Sequence, residues 1–249
     1  FGRGRIPASY TSLLSADALK GARIGVVENL FGAEERHREV NAVMVQTMKR
    51  MEALGATLIP FELKEFDELS PVIATSKFEA AAAWKRYFAA LGPGAPVKSL
   101  EQLVATGNSA VQETLELELA LQDGMNDPAY KDHLMNRDRL RLVLATRMAE
   151  HALDAVLYPQ QRILVPLIAT GEQPERNGAL SHGTGFPAVT FSAGFSAPTT
   201  DAPLGVPVGA ELMGLDYSEP RLLAFAYAHE QAARLQCLPA STPLLSGAI

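Results

Sequence analysis

The sequence predicts an α/β protein: a mixed β-sheet core flanked by helices. Three observations predict it. A strand–helix–strand pattern stands near the start, a long stretch of helix formers fills the middle, and two alternating apolar segments stand near the end.

The stretch through Tyr10 is rich in Gly and Arg and reads as an extended connector. Ala22-Arg-Ile-Gly-Val-Val-Glu28 is a short β-branched run. A loop at Asn29-Leu-Phe-Gly32 follows, and then Val40, Val43, Met44, Thr47, Met48, Met51 and Leu54 recur at helical spacing. Gly55 supplies the helix stop, because it tolerates a left-handed backbone, and Thr57-Leu-Ile-Pro60 resumes as a strand. That order implies a parallel pair with a right-handed crossover.

From about residue 65 to 153 the chain reads as mostly helical, with an alanine-rich helix over Phe78–Ala90 and a break at Gly92-Pro-Gly-Ala-Pro96. Leu115-Glu-Leu-Glu-Leu119 alternates like a strand, but Leu and Glu are strong helix formers and the neighbours are helical, so helix is expected. Another helix is expected from Asp138 to about Leu153, with Leu140, Val143, Leu144 and Met148 on one face. Asp154–Pro159 is a strand that ends at its proline.

In the last hundred or so residues Gly and Pro rise. Val189, Phe191 and Ala193 alternate with Thr190 and Ser192, and Val206, Val208, Ala210 and Leu212 alternate with Pro207, Gly209 and Glu211. These read as two strands of one sheet joined by a Pro-rich loop that contains Asp201. Ser218 fits an N-cap and Pro220 a first helical turn, so a closing helix is expected over Leu222–Arg234.

Composition narrows the function. At 47% hydrophobic the chain can bury a core, and a net charge of -6 argues against nucleic acid or an anionic membrane surface as a partner. Arg137, Arg139, Arg141 and Arg147 are interrupted by Asp138 and read as a solvated helix face. No apolar run reaches the ~18–20 residues that span a bilayer. A single cysteine, Cys237, excludes an internal disulfide and a thiolate metal cage, which leans toward a cytoplasmic setting. His37, His133, His151, His182 and His229 stand singly, without metal spacing. Trp84, Tyr87 and Phe88 read as packing residues, and the Gly-x-Gly-x-x-Gly spacing of a nucleotide site is absent.

Three stretches together resemble the amidase-signature family. They are Tyr10-Thr-Ser-Leu-Leu14 with Leu19–Val27; Leu153–Pro159; and Thr184-Gly-Phe-Pro-Ala-Val-Thr190 through Ala193-Gly-Phe195, Val206-Pro-Val-Gly209, Ser218–Ala224 and Ala240-Ser-Thr-Pro243. The resemblance covers nearly the whole chain and matches the part that follows the family's catalytic core. It implies that residues 1–249 are the carboxy-terminal part of an amidase-signature domain. It further implies hydrolysis of carboxamide C–N bonds by a serine nucleophile, a second serine and a lysine that lie upstream of Phe1. No Gly-Gly-Ser-Ser-like cluster is present, so no catalytic residue is assigned here.

What the resemblance places on the substrate side is the loop after the third strand, with Gln160 and Gln161. The Ser181-His182-Gly-Thr-Gly185 stretch adds His182, Thr184 and Phe186 as pocket lining. Arg162 reads as solvated. A Ser-His-Asp hydrolase using Ser181, His182 and Asp154 or Asp201 is disfavoured, because adjacent side chains seldom face each other and no Gly-x-Ser-x-Gly elbow is present. No metal or organic cofactor is implied. The partners implied are a small-molecule amide, the missing amino-terminal half and, through an exposed sheet edge, a second copy. A non-catalytic binding module and a component like the ammonia-releasing subunit of an amidotransferase are the alternatives.

Overall fold

The computed structural model describes residues 4–167, 174–238 and 242. Two compact units divide the chain: residues up to Lys64 with those from Leu142 onward, and Glu65–Arg141.

In the first unit β1 (Arg23–Val27), α1 (Arg38–Ala53) and β2 (Thr57–Phe61) follow the expected order. The two strands pair in parallel from Arg23↔Thr57 to Val27↔Phe61. The buried residues of α1 are Val40, Val43, Met44, Thr47 and Met51, one stripe at three- and four-residue spacing. The helix stops where predicted. Gly55 sits at φ 95°, a left-handed conformation that favours glycine, and a Cβ there would lie a tight 3.2 Å from the Lys20 backbone.

The sheet order is β2-β1-β3-β5-β4. At its centre, β3 (Ala155–Pro159) has all five residues buried. It runs parallel to β1 and antiparallel to β5 (Pro207–Met213), which in turn pairs antiparallel with β4 (Ala188–Phe195). The sheet is therefore mixed, as expected. A register irregularity between Ser192 and Gly194 turns the Ala193 carbonyl toward α1, where Thr47 Oγ1 donates to it at 3.0 Å and Arg50 Nη2 at 2.6 Å.

The closing helix α8 (Glu219–Ala233) starts three residues earlier than predicted, with Pro220 in its first turn. Ser218 holds the N-cap position but makes no side-chain cap; its hydroxyl is buried beside Gly214 without a partner among the described residues. Helices α1 and α8 cover one sheet face. Met44, Met51, Leu222 and Phe225 pack there against Ile24, Leu157, Phe191, Ala210 and Leu212.

The second unit is helical: α2 (Lys64–Leu69), α3 (Ser76–Leu91), α4 (Leu100–Ala105), α5 (Gln112–Ala120) and the start of α6 (Pro128–Glu150). Leu115–Leu119 is helix, so propensity outweighed alternation. The onset of α6 precedes the expected Asp138, because Asp127-Pro128 is a helix start: Asp127 Oδ1 accepts from the Ala129 N–H at 2.8 Å, and Pro128 has no N–H to leave unpaired. Trp84 stacks on Phe88 with ring centroids 5.6 Å apart and donates to Glu118 Oε2 at 2.7 Å, the packing role its surroundings predicted.

Candidate functional site

The period of two along a strand puts Tyr158 and Gln160 on the sheet face opposite Leu157, and Gly209 and Glu211 opposite Ala210. Register joins them, because Tyr158 lies across from Glu211 and the Gln160 N–H donates to the Gly209 carbonyl at 3.0 Å. On the other side of β5, Thr190 lies across from Glu211. A Cβ on Gly209 would fall 3.2 Å from Thr190 Cγ2 and 3.7 Å from Gln160 Cβ, so these side chains crowd toward one point. While α1 and α8 cover an apolar face, this face carries a polar patch next to the buried Val156 and Met213.

At its base Tyr158 donates to Glu211 Oε1 at 2.8 Å, both residues being almost wholly removed from solvent. Burial pushes the Tyr158 hydroxyl well above the ordinary phenol range, and the neighbouring Glu211 carboxyl pushes it further. It is therefore a proton donor at any ordinary pH, which suits a carboxyl that needs one.

Beyond Pro159 the chain forms a short antiparallel arrangement with residues 174–177. Gln161 bridges Arg176, its Nε2 donates to the Pro174 carbonyl at 3.1 Å, and the Arg162 N–H donates to the Glu175 carbonyl at 3.0 Å. Arg162 is not simply solvated as expected, since its Nε donates to Asn177 Oδ1 at 3.2 Å. His37 meets the same segment. It is buried, its Nδ1 accepts from the Glu34 N–H at 2.9 Å, and its Nε2 lies 2.6 Å from Glu175 Oε2. With Nδ1 accepting, the ring proton is on Nε2 and points to Glu175. Arg36 adds a second contact to the same carboxylate at 3.1 Å. Glu175 thereby fixes this segment to the turn before α1.

The segment leads through Gly178 into α7 (Ala179–Thr184). Gln160 and His182 converge here, because a Cβ on Gly178 would meet Gln160 Nε2 at 3.7 Å and His182 Cε1 at 3.6 Å. Gln160 and Gln161 are half-buried and His182 is exposed. Thr184 and Phe186 are placed differently. Thr184 is buried, donates to the Leu180 carbonyl at 2.8 Å and accepts from the Phe186 N–H at 3.3 Å, while Phe186 is buried beside it. Gly185, left-handed at φ 63°, makes that turn possible. These two residues thus form the base of the turn rather than its surface. Ser181 donates to the Gly178 carbonyl at 3.1 Å. Asp154 commits one oxygen to the Arg23 N–H and the other to Arg221, so it is not available to a Ser-His pair.

Glu211, Asn177 and Glu175 escaped the sequence reading. Glu211 sits at an alternating position of a strand with nothing to mark it, and nothing around Asn177 or Glu175 marks a special role. Among the described residues no group of three or more His, Cys, Asp or Glu is placed to hold a metal ion, and no helix is long and apolar enough to cross a membrane.

An α/β chain with a mixed sheet and these strand-end loops can be compared with known proteins. The family model described as Amidase matches residues 4–223, most of the chain, and the chain belongs to the amidase-signature family. It is 27% identical over 241 residues to the A-type subunit of glutamyl-tRNA(Gln) amidotransferase from Synechococcus sp. (strain CC9605), an alignment covering 88% of this chain and 46% of that protein. To the corresponding protein of Caldanaerobacter subterraneus subsp. tengcongensis it is 28% identical over 255 residues, covering 92% and 48%. Among solved structures, native peptide amidase from Stenotrophomonas maltophilia superposes with a TM-score of 0.74 at 26% identity, covering 93% of this chain and 48% of that one. A bacterial aryl acylamidase, at TM-score 0.66 and 16% identity, shares the fold. The chain spans about half the length of the curated relatives it matches.

Proposed function

We propose that the chain is the carboxy-terminal part of an enzyme that hydrolyses carboxamide C–N bonds. In this reading a serine nucleophile, a second serine and a lysine base come from a preceding segment, and residues 1–249 supply sheet, helical cover and one wall of the substrate cleft. The family match through residues 4–223 carries the proposal. The sheet supports it too. Of its two end strands, β2 contains Pro60, a residue that blunts an edge, whereas the eight residues of β4 contain no proline and can accept another strand.

Gln160, Gln161 and His182 are the groups we assign to the substrate side, with Thr184 and Phe186 holding the turn beneath them. A carboxamide side chain can donate to a substrate carbonyl and accept from a substrate N–H, which suits Gln160 to an amide. Ammonia release from benzamide and acetamide tests the reading. The 249-residue chain by itself is expected to release none and the full-length protein to release it; turnover by the chain alone, or none by the full-length protein, would sink it.

The curated relatives favour a second reading, in which the full-length protein is the ammonia-releasing component of an amidotransferase assembly. Full activity on free amides with no other protein present counts against that version.

A further inference from the structure

We infer that Asn177 is a positioning residue for the substrate-side surface, acting through Gln160 and Arg162, an inference that rests on the assignment of that surface proposed above. Asn177 is 1% exposed, and both polar atoms of its side chain are engaged. Its Nδ2 donates to the Leu30 carbonyl at 2.8 Å and to the Pro159 carbonyl at 2.7 Å, while Oδ1 accepts from Arg162 Nε at 3.2 Å. The backbone N–H of Asn177 donates to the Gln160 carbonyl at 3.0 Å.

These partners come from separate parts of the chain: the turn after β1, the end of β3 and the loop beyond it. Pairing of β3 with β1 ends at Leu157↔Val26, so on that side the Pro159 carbonyl has no strand to accept from. The Asn177 carboxamide takes the place of the absent strand. A buried carbonyl left without a donor is costly, so the end of β3 is held where Asn177 holds it. The next residue, Gly178, lies where Gln160 and His182 converge. Asn177 therefore ties the Gln160 backbone on one side and abuts the Gln160–His182 junction on the other.

The side-chain chemistry is specific. Aspartate would keep the acceptor toward Arg162 but set carboxylate oxygens against the Leu30 and Pro159 carbonyls. Alanine and leucine would leave both carbonyls unmet, and serine is too short to reach three partners. Only a planar carboxamide of this length offers two donors and one acceptor in this arrangement.

The test uses Asn177→Ala in the full-length protein, with benzamide as the probe, alongside the side-chain amide resonances of Gln160 in ¹⁵N-labelled protein. The expected result is a shift of the Gln160 resonances with a rise in KM of about tenfold and kcat within about twofold, because a displaced binding group loses ground-state and transition-state contacts alike. A folded Asn177→Ala protein with unshifted Gln160 resonances and unchanged KM overturns the inference, and so does an equal fall in kcat and kcat/KM with KM constant. Should that variant not fold, Arg162→Met removes one contact only, and Gln160 resonances that shift in it support the arrangement while unshifted ones overturn it. If the wild-type protein hydrolyses no amide but Asn177→Ala moves the Gln160 resonances, the functional reading fails and the positioning role of Asn177 stands.

Discussion

The two faces of the sheet are made by the same strands and differ in kind. Toward α1 and α8 the strands present Ile24, Leu157, Ala210 and Leu212 to a continuous apolar core. Away from those helices they present, beside the buried Val156 and Met213, a polar patch of Tyr158, Gln160, Thr190 and Glu211, where a buried Tyr–Glu hydrogen bond underlies half-buried and exposed side chains. Apolar burial is non-directional and tolerates many sequences, whereas the polar patch is held by few contacts of defined geometry. The difference teaches where to look for function: the first face holds the fold together, and the second has polar groups that packing does not require.

The comparison is sharpest where the covered face contains a polar group of its own. His229 of α8 is fully buried, stands edge-on to Phe191 at 4.9 Å, and its Nε2 accepts from Arg50 Nε at 3.3 Å. Burial lowers its pKa from 6.5 to about 4, and the Arg50 charge adds to the shift. Between these values the unfolded chain binds more protons than the folded one, so stability rises with pH. The contribution is complete above 6.5 and is lost as pH falls toward 4, a total of about 3 kcal/mol for a shift of this size. Denaturant unfolding at about pH 7.5 and about pH 4.5, on either side of most of that window, should show this loss in the wild-type chain and not in His229→Gln. Parallel pH profiles for the two proteins would place the sensitivity elsewhere.

On the polar face the expected effect is smaller. Tyr158→Phe removes the only described donor to Glu211 and should cost about 2 kcal/mol, the range for a buried group left without its partner. In a Glu211→Leu background the same change should cost less than about 0.5 kcal/mol, since no carboxyl remains to be satisfied. Equal costs in the two backgrounds would mean that the hydrogen bond contributes nothing to the difference between the faces.

The covered face was largely legible in the sequence, because its signals are periodic. The stripe Val40, Val43, Met44, Thr47, Met51 and the alternations of β4 and β5 identify their elements without knowledge of any partner. Gly55 was legible because its conformation is local. Glu211 was not: a strand alternates whether its second face meets water or protein, and only the position of Tyr158 across the ladder makes that carboxyl a buried one. Asn177 and Glu175 were hidden for the same reason. Their partners Leu30, His37, Pro159 and Arg162 lie far away in sequence or in no recognisable spacing, and hydrogen bonds that close over such separations leave no local pattern. His182 and Gln160 were singled out in the sequence as separate stretches. Their shared approach to Gly178 required the fold.

The smallest expected effect bears most directly on which residues belong to the site. Gln160 is half-buried, its backbone N–H pairs with Gly209, and its side-chain amide makes no hydrogen bond among the described residues. Gln160→Ala keeps the backbone pairing and removes only an amide that holds no other element in place, so unfolding free energy should stay within about 0.5 kcal/mol of wild type. Tyr158, two residues earlier on the same face, should behave oppositely. If Gln160→Ala instead costs as much as Tyr158→Phe, the amide is part of the scaffold and the distinction between a structural base and a functional rim fails at the residue where it matters. A neutral result leaves Gln160 with a side chain the fold does not need, which is the condition a substrate contact has to meet before its effect on amide turnover means anything.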